Sequence, residues 1–196
     1  LAGALDAFAN VGVEGRTCLD AGASTGGFTD VLLRRGAKLV VAVDVGYGQL
    51  AWELRQDARV KILDRTNIRH LTGDMVGEEI DLVVADLSFI SLSLVLPALA
   101  AVSKSDADFV LMVKPQFEVG REKLGAGGVV RDPALRRAAV LDVAESAYDV
   151  GLGTMGIAAS PLPGPAGNVE YFLWLRRGAP AIDGFAVDKA IQEGPA

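Results

Sequence analysis

The sequence holds one cysteine and one histidine in 196 residues. A single thiol forms no internal disulfide, so Cys18 excludes a disulfide framework and fits a reducing compartment. A lone imidazole, His70, without cysteines or a second histidine around it, gives no metal-binding cluster, and no metal is expected. Long apolar runs are also missing. The longest, such as LSLVLPALAAV, is too short to span a bilayer and carries a proline. No charged segment followed by an apolar one opens the chain, so nothing reads as a secretory signal. Excess basic charge is absent too. With 19 Lys and Arg against 25 Asp and Glu, the formal charge is −6, which taken alone argues against a nucleic-acid partner. A cytoplasmic, monomeric domain without membrane insertion is expected. The chain starts at Leu1, without Met and already on a helical pattern (Leu1, Leu5, Phe8), and is expected to be a fragment that lacks an N-terminal part.

Hydrophobic residues make up 51% and glycines number 23, enough for a large core with many tight strand ends. Strand-like apolar runs alternate with helical patterns. A helix over 1–10 precedes RTCLDAG, and a helix over 27–35 follows it. KLVVAVDV leads to a helix over 49–56, and VKILD to a short helix near 73–76. IDLVVADL precedes a helix over 91–102, ADFVLMVK a long loop, and a helix over 133–150 comes next. GTMGIAASPL and NVEYFLWLRR close the series as adjacent strands. Continuous rather than alternating apolar runs are the pattern of a parallel sheet covered on both faces. The expected fold is a doubly wound α/β sheet, mostly parallel, with an antiparallel strand near the C-terminus. Residues 1–178 form the expected domain, and 179–196 a linker-like tail that packs on it or trails from it.

In LDAGASTGGFTD a strand breaks into Gly22, Gly26 and Gly27 and turns at once into a helix. Ligands of such sheets sit at the carboxyl ends of the strands, and a helix N-terminus there offers free N–H groups. The spacing G-x-x-x-G-G is not the dinucleotide fingerprint, and by itself suits a plain tight turn as well as a ligand. Asp44 ends the second strand 22 residues beyond Gly22, close to the spacing at which an acid reaches a ribose diol. Asp20, Asp64 and Asp86 end the first, third and fourth strands. Four carboxylates on one rim point to a nucleoside pocket, and without a phosphate-cradling G-K-S/T loop the fitting ligand is S-adenosylmethionine. It is expected along Gly22, Ser24, Gly26 and Gly27, with Asp44 on the ribose, Asp64 near the adenine, and Asp20 and Asp86 completing the pocket.

LDAGASTGGFTD, VDVGYGQLAW, DLVVADLSFISL, LMVKPQFEVG and SPLPGPAGNVEYFLWL together resemble the TlyA family. Its members are known both as haemolysin A-like proteins and as FtsJ-related ribosomal RNA 2′-O-ribose methyltransferases. The resemblance runs from Leu1 to about Arg177. It implies a seven-stranded Rossmann-like methyltransferase sheet, S-adenosylmethionine as cofactor and ribosomal RNA as partner. It also implies a Lys-Asp-Lys-Glu catalytic set, in which Asp86, Lys114 and Glu170 match the last three members. The first lysine would fall immediately before Leu1, and an N-terminal S4-type RNA-binding domain would precede it. Without these, the chain is expected to methylate RNA weakly.

The residues are consistent with that set on their own. Asp86, Lys114 and Glu170 fall at the ends of the fourth, fifth and last strands, and a buried Glu170 needs a partner, for which Lys114 is the natural choice. A ribose 2′-hydroxyl needs a base. DLSF at the fourth strand lacks the N/D-P-P-Y/F pattern of base-amine methyltransferases. Arg65, Arg69, Arg121, Lys123 and Arg131 cluster near the expected mouth. Cys18, Phe172 and Trp174 read as core, and Trp52 as packing. A cytolysin and a methyltransferase for a small-molecule hydroxyl remain as alternatives.

Overall fold

The computed structural model describes residues 1–195 and, of Arg121, the backbone alone. In chain order it runs α1 (Ala2–Ala7), β1 (Thr17–Ala21), α2 (Gly27–Arg34), β2 (Leu39–Val43), α3 (Trp52–Arg55) and β3 (Val60–Leu63). Then come α4 (Gly73–Val76), β4 (Ile80–Ala85), α5 (Leu96–Ala101), β5 (Ser103–Val113) and α6 (Pro115–Glu118). The last elements are α7 (Pro133–Asp149), β6 (Leu152–Ala159), β7 (Tyr171–Arg177) and α8 (Gly184–Glu193). Among the described residues the seven strands form one sheet in the order β3-β2-β1-β4-β5-β7-β6. Only β7 runs against its neighbours.

The continuous apolar runs have a direct explanation. Successive strand residues point to opposite faces, and both faces are covered. Leu19, Val41, Val83, Phe109 and Leu111 pack on one side with Leu96 and Leu99 of α5, Val140 and Val143 of α7 and Val187 of α8. Cys18, Val40, Leu82, Val84 and Val110 pack on the other with Leu5 of α1 and Leu32 of α2. Cys18 is fully buried, and burial pushes its thiol up to about 12. Phe172 and Trp174 are core as well.

Several boundaries differ from the sequence pattern. The helix over 49–56 contracts to Trp52–Arg55, because residues before it form a loop in which Asp44 Oδ1 accepts from Gly46 N–H at 2.7 Å. Trp52 is 70% exposed and packs into no core, contrary to expectation. The helix over 91–102 is divided into a 3₁₀ turn, Leu92–Leu94, and α5. Strand β5 begins before its apolar run: Lys104 pairs with Asp81 of β4 at 2.8 Å and holds the polar stretch along the sheet. The linker-like tail carries α8, whose Asp183 cap accepts from Phe185 N–H. Val187 and Ala190 are buried, and Arg137 of α7 pairs with Asp188 at 2.5 Å. No described helix is long and apolar enough to cross a membrane, and the described residues hold no metal-capable group of His, Cys, Asp and Glu.

The end of the sheet opposite the carboxyl rim is held by Asp108, only 2% exposed. It accepts from Arg16 at 2.7 Å and from the Trp174 indole N–H at 2.8 Å, and lies 3.2 Å from Arg176. Removing one member of such a network strands the others. Asp108→Ala is expected to destabilise the fold by about 3 kcal/mol, read as a lower urea midpoint; an unchanged midpoint would show the network to be inert.

Candidate active site

The site begins where β1 meets β2 and β4. Strand register sets Asp20 beside Val84 and Ala21 beside Ala85, and Asp86 N–H donates to the Ala21 carbonyl at 3.0 Å. Gly22 follows with φ +84, and a Cβ there would lie 2.6 Å from the Asp86 carbonyl oxygen. Only glycine tolerates both the backbone angle and the approach. This is the point at which the strand order reverses, where doubly wound sheets bind ligands.

Two cavities open on the rim. The smaller, about 420 Å³, is lined by Gly22, Ser24, Asp44, Val45, Gly46, Gln49, Ile68 and residues 86–89. The larger, about 1030 Å³, is lined among others by Arg69, Ser88, Phe89, Lys114, Gln116, Phe117, Asn168 and Glu170. Ser88 and Phe89 line both, so the cavities adjoin at the turn after β4. Phe89 is 91% exposed at φ +64, with its ring centroid 5.0 Å from that of Phe117. A bulky residue in the left-handed region is strained, and such strain concentrates at functional sites.

Asp86, Lys114 and Glu170 do meet there. Lys114 Nζ lies 2.5 Å from Asp86 Oδ1 and donates to Ser88 Oγ at 3.2 Å. Pro115 opens α6 directly after Lys114, which keeps Lys114 extended and outside the helix, as the residue before a proline tends to be. The expected Glu170–Lys114 contact is not the one formed, because Lys114 is taken by Asp86. Glu170, 5% exposed, accepts instead from Gln116 Nε2 at 3.3 Å. Burial raises the Glu170 carboxyl above the usual range, opposed by the charge of Lys114 and the Gln116 donation.

The glycine-turn residues separate into three groups. Gly22, Ser24, Asp44 and Asp86 line the smaller cavity. Asp44 Oδ2 accepts from Ser24 N–H at 2.8 Å, which fixes the turn against β2. Gly26 instead packs against Leu50 and Leu54, and Gly27 has open space around its Cα; neither lines the cavity. Asp64 is also off the wall, bonded to Gly48 N–H and 3.4 Å from Arg55. Asp20 lies beneath, fully buried, with the Thr29 hydroxyl donating to Oδ2 at 2.7 Å.

Gln116, Ser88, Phe89 and Glu118 were not singled out from the sequence. Glu118 accepts from Ser91 Oγ at 2.5 Å and Leu92 N–H at 3.0 Å, tying α6 to the segment after β4. Of the expected basic cluster, Arg69 lines the larger cavity and Arg65 stacks over the Tyr47 ring at 4.3 Å. Lys123 and Arg131 are exposed, and the Arg121 side chain lies outside the described residues.

A sheet in this order, with a glycine turn at its switch point and a Lys-Asp-Glu rim, defines a Rossmann-like methyltransferase. The model of the FtsJ-like methyltransferase family matches residues 1–177, and the chain belongs to that family. It is 61% identical over 201 residues to the 16S/23S rRNA (cytidine-2′-O)-methyltransferase TlyA of Mycobacterium tuberculosis, covering 100% of this chain and 74% of that protein. A structure described as a hemolysin from Lactococcus lactis superposes with TM-score 0.92 at 39% identity, over 98% of this chain and 93% of that one. A structure described as an S-adenosylmethionine-dependent methyltransferase from Listeria monocytogenes shares the fold, with TM-score 0.64 at 15% identity, over 90% of this chain and 98% of that one.

Burial pushes the Asp20 carboxyl up to about 7, against the Thr29 donation. Folded Asp20 therefore keeps its proton at pH values where an unfolded aspartate, near pH 4, has lost it. The stability this provides is full below about pH 4 and is lost as pH rises through about 7. Asp20→Asn is expected to recover about 3 kcal/mol of the loss between pH 5 and 8, measured by urea unfolding at both values; an equally steep loss in the variant would clear Asp20.

Proposed function

We propose that the chain is an S-adenosylmethionine-dependent 2′-O-ribose methyltransferase acting on ribosomal RNA in the cytoplasm. The observation that carries this reading is the Lys114–Asp86 pair at the junction of the two cavities. One cavity suits an adenosine and the other a nucleotide, and the pair stands between them. The name of the Mycobacterium tuberculosis relative supports cytidine ribose as the group methylated.

The smaller cavity fits the cofactor. Gly22 and Ser24 leave backbone exposed for the methionine part, and Val45 and Ile68 offer apolar walls to the adenine. Both Asp44 oxygens already accept one backbone N–H, and each has a lone pair left for a ribose hydroxyl,. When bound, S-adenosylmethionine supplies an electrophilic methyl group. The protein's own residues handle the hydroxyl and its proton. Lys114 Nζ holds the ribose oxygen, and as that oxygen becomes acidic its proton passes to the Lys114–Asp86 pair. Glu170 keeps a second negative charge near Lys114. Exposed Phe89 offers a stacking face to a base, as single-stranded RNA recognition commonly uses, and Arg69 offers a phosphate contact.

Asp44→Ala is expected to weaken cofactor binding by about 1–3 kcal/mol, the result of leaving the ribose hydroxyls unpaired; unchanged affinity by calorimetry would remove Asp44 from the site. Lys114→Ala is expected to abolish tritium transfer from labelled cofactor into ribosomal subunits while leaving cofactor affinity intact. Transfer by the Lys114→Ala protein at near the unmutated rate would refute the mechanism, and label in a metabolite pool rather than in RNA would favour a small-molecule hydroxyl.

A further inference from the structure

The rim holds two carboxylates and one ammonium group, and their pairing is unequal. Lys114 is in contact with Asp86 at 2.5 Å. Glu170 is more deeply buried, yet has no cation in contact among the described residues. The hydrogen bond to its side chain comes from Gln116 Nε2 at 3.3 Å. Gln116 sits in the single turn of α6, whose direction is set by Pro115 and closed by Phe117 N–H to the Lys114 carbonyl at 2.9 Å. On the other side Glu170 is confined by Gly164, where a Cβ would lie 2.7 Å from Glu170 Oε1. Gln116 Oε1 is buried and has no partner among the described residues. A glutamine in that state is held for its N–H. Turning the amide over would set its carbonyl oxygen against a carboxylate.

We propose that Gln116 is a positioning residue for methyl transfer, its amide N–H fixing the ionised Glu170 carboxylate within electrostatic reach of Lys114. The inference rests on the reading of Glu170 as part of the transfer site. The balance around Glu170 is compatible with this. Burial and the Asp86 charge favour its neutral form, whereas Lys114 and Gln116 favour its charged form. Because Lys114 is engaged by Asp86, Gln116 is the contact that is local to Glu170. A neutral Glu170 would donate rather than accept, and the charge it keeps near Lys114 would vanish.

The test uses Gln116→Met, which keeps the length without the donor, and Gln116→Glu, which replaces the donor with a like charge. Carboxyl-carbon NMR of glutamate-labelled protein, assigned through Glu170→Gln, follows the Glu170 titration directly. Both variants are expected to move its midpoint to higher pH, Gln116→Glu further than Gln116→Met. In single-turnover transfer to ribosomal subunits, the acid limb of the rate profile should move up by the same amount. That makes Gln116→Met slower than the unmutated protein at pH 6, by the factor the measured midpoint shift dictates, and within a few fold of it at pH 9. The double variant with Glu170→Gln should be no slower than Glu170→Gln alone, since residues acting through one another are non-additive. A Glu170 titration unmoved in both variants would overturn the proposal, as would additive losses in the double variant. Full activity of Glu170→Gln would overturn the underlying reading as well, which separates the two failures.

Discussion

Gly22 lies so close to the carbonyl of Asp86 that a side chain at this position would collide with the end of β4. This contact sets the rest of the rim. It draws the β1–α2 turn across the switch point, so Ser24 reaches Asp44 at the end of β2. It also brings the backbone of Asp86 against Ala21. From there the Asp86 side chain is in contact with Lys114 at the end of β5. One missing Cβ thus couples the cofactor-sized cavity to the group that contacts the substrate hydroxyl in the proposed reaction. A larger residue there would displace both together.

Much of this was legible in the sequence because parallel sheets convert strand ends into neighbours. Asp44 and Asp86, closing their apolar runs, need no tertiary information to be placed on the cavity rim, and Lys114 follows from the same rule. Asp20 instead lies buried beneath it and Asp64 off the wall, while Glu170 reaches the rim from the start of the antiparallel β7. Cys18 and Trp174 were legible for a simpler reason, falling within apolar strand runs. The errors fall where tertiary contacts override local pattern. Trp52 resembles a core residue but opens a helix of one turn that directs Leu54, not Trp52, toward the core. Lys104 lies in a stretch that reads as loop, and an ion pair to Asp81 makes it strand. The tail, turn-rich at its start, takes the packed of its two expected forms, with Val187 and Ala190 buried beside α7.

Within the site, the residues missed were those whose role depends on a partner far along the chain. Gln116 and Glu170 are 54 positions apart, and Ser91 and Glu118 are 27 apart. No periodicity relates them. Phe89 was missed for a different reason: its φ of +64 is imposed by the turn after β4, and phenylalanine carries no propensity for that region,. The pairing of Lys114 with Asp86 rather than Glu170 has the same origin. Composition counts two carboxylates near one ammonium group but not which of them the backbone brings into contact.

The formal charge of −6 argued against an RNA partner, and the arrangement of groups weakens that objection. At the end opposite the rim, charges are spent on one another: Arg16 and Arg176 on Asp108, Lys104 on Asp81, Arg59 on Asp57. At the rim, the acids nearest the cavities are partly or wholly withdrawn from solvent. Burial holds the Asp20, Glu118 and Glu170 carboxyls above the usual range, Asp44 faces backbone N–H groups and Asp86 faces Lys114. Arg65, Arg69, Lys123 and Arg131, by contrast, are exposed there. Exposed Glu122 and Asp132 stand beside Lys123 and Arg131, so the cations a phosphate meets free of an adjacent exposed acid are Arg65 and Arg69. Local potential rather than net charge governs such an encounter, because exposed charges beyond about 10 Å are screened at 0.1 M salt. An acidic chain is therefore compatible with an RNA-facing rim.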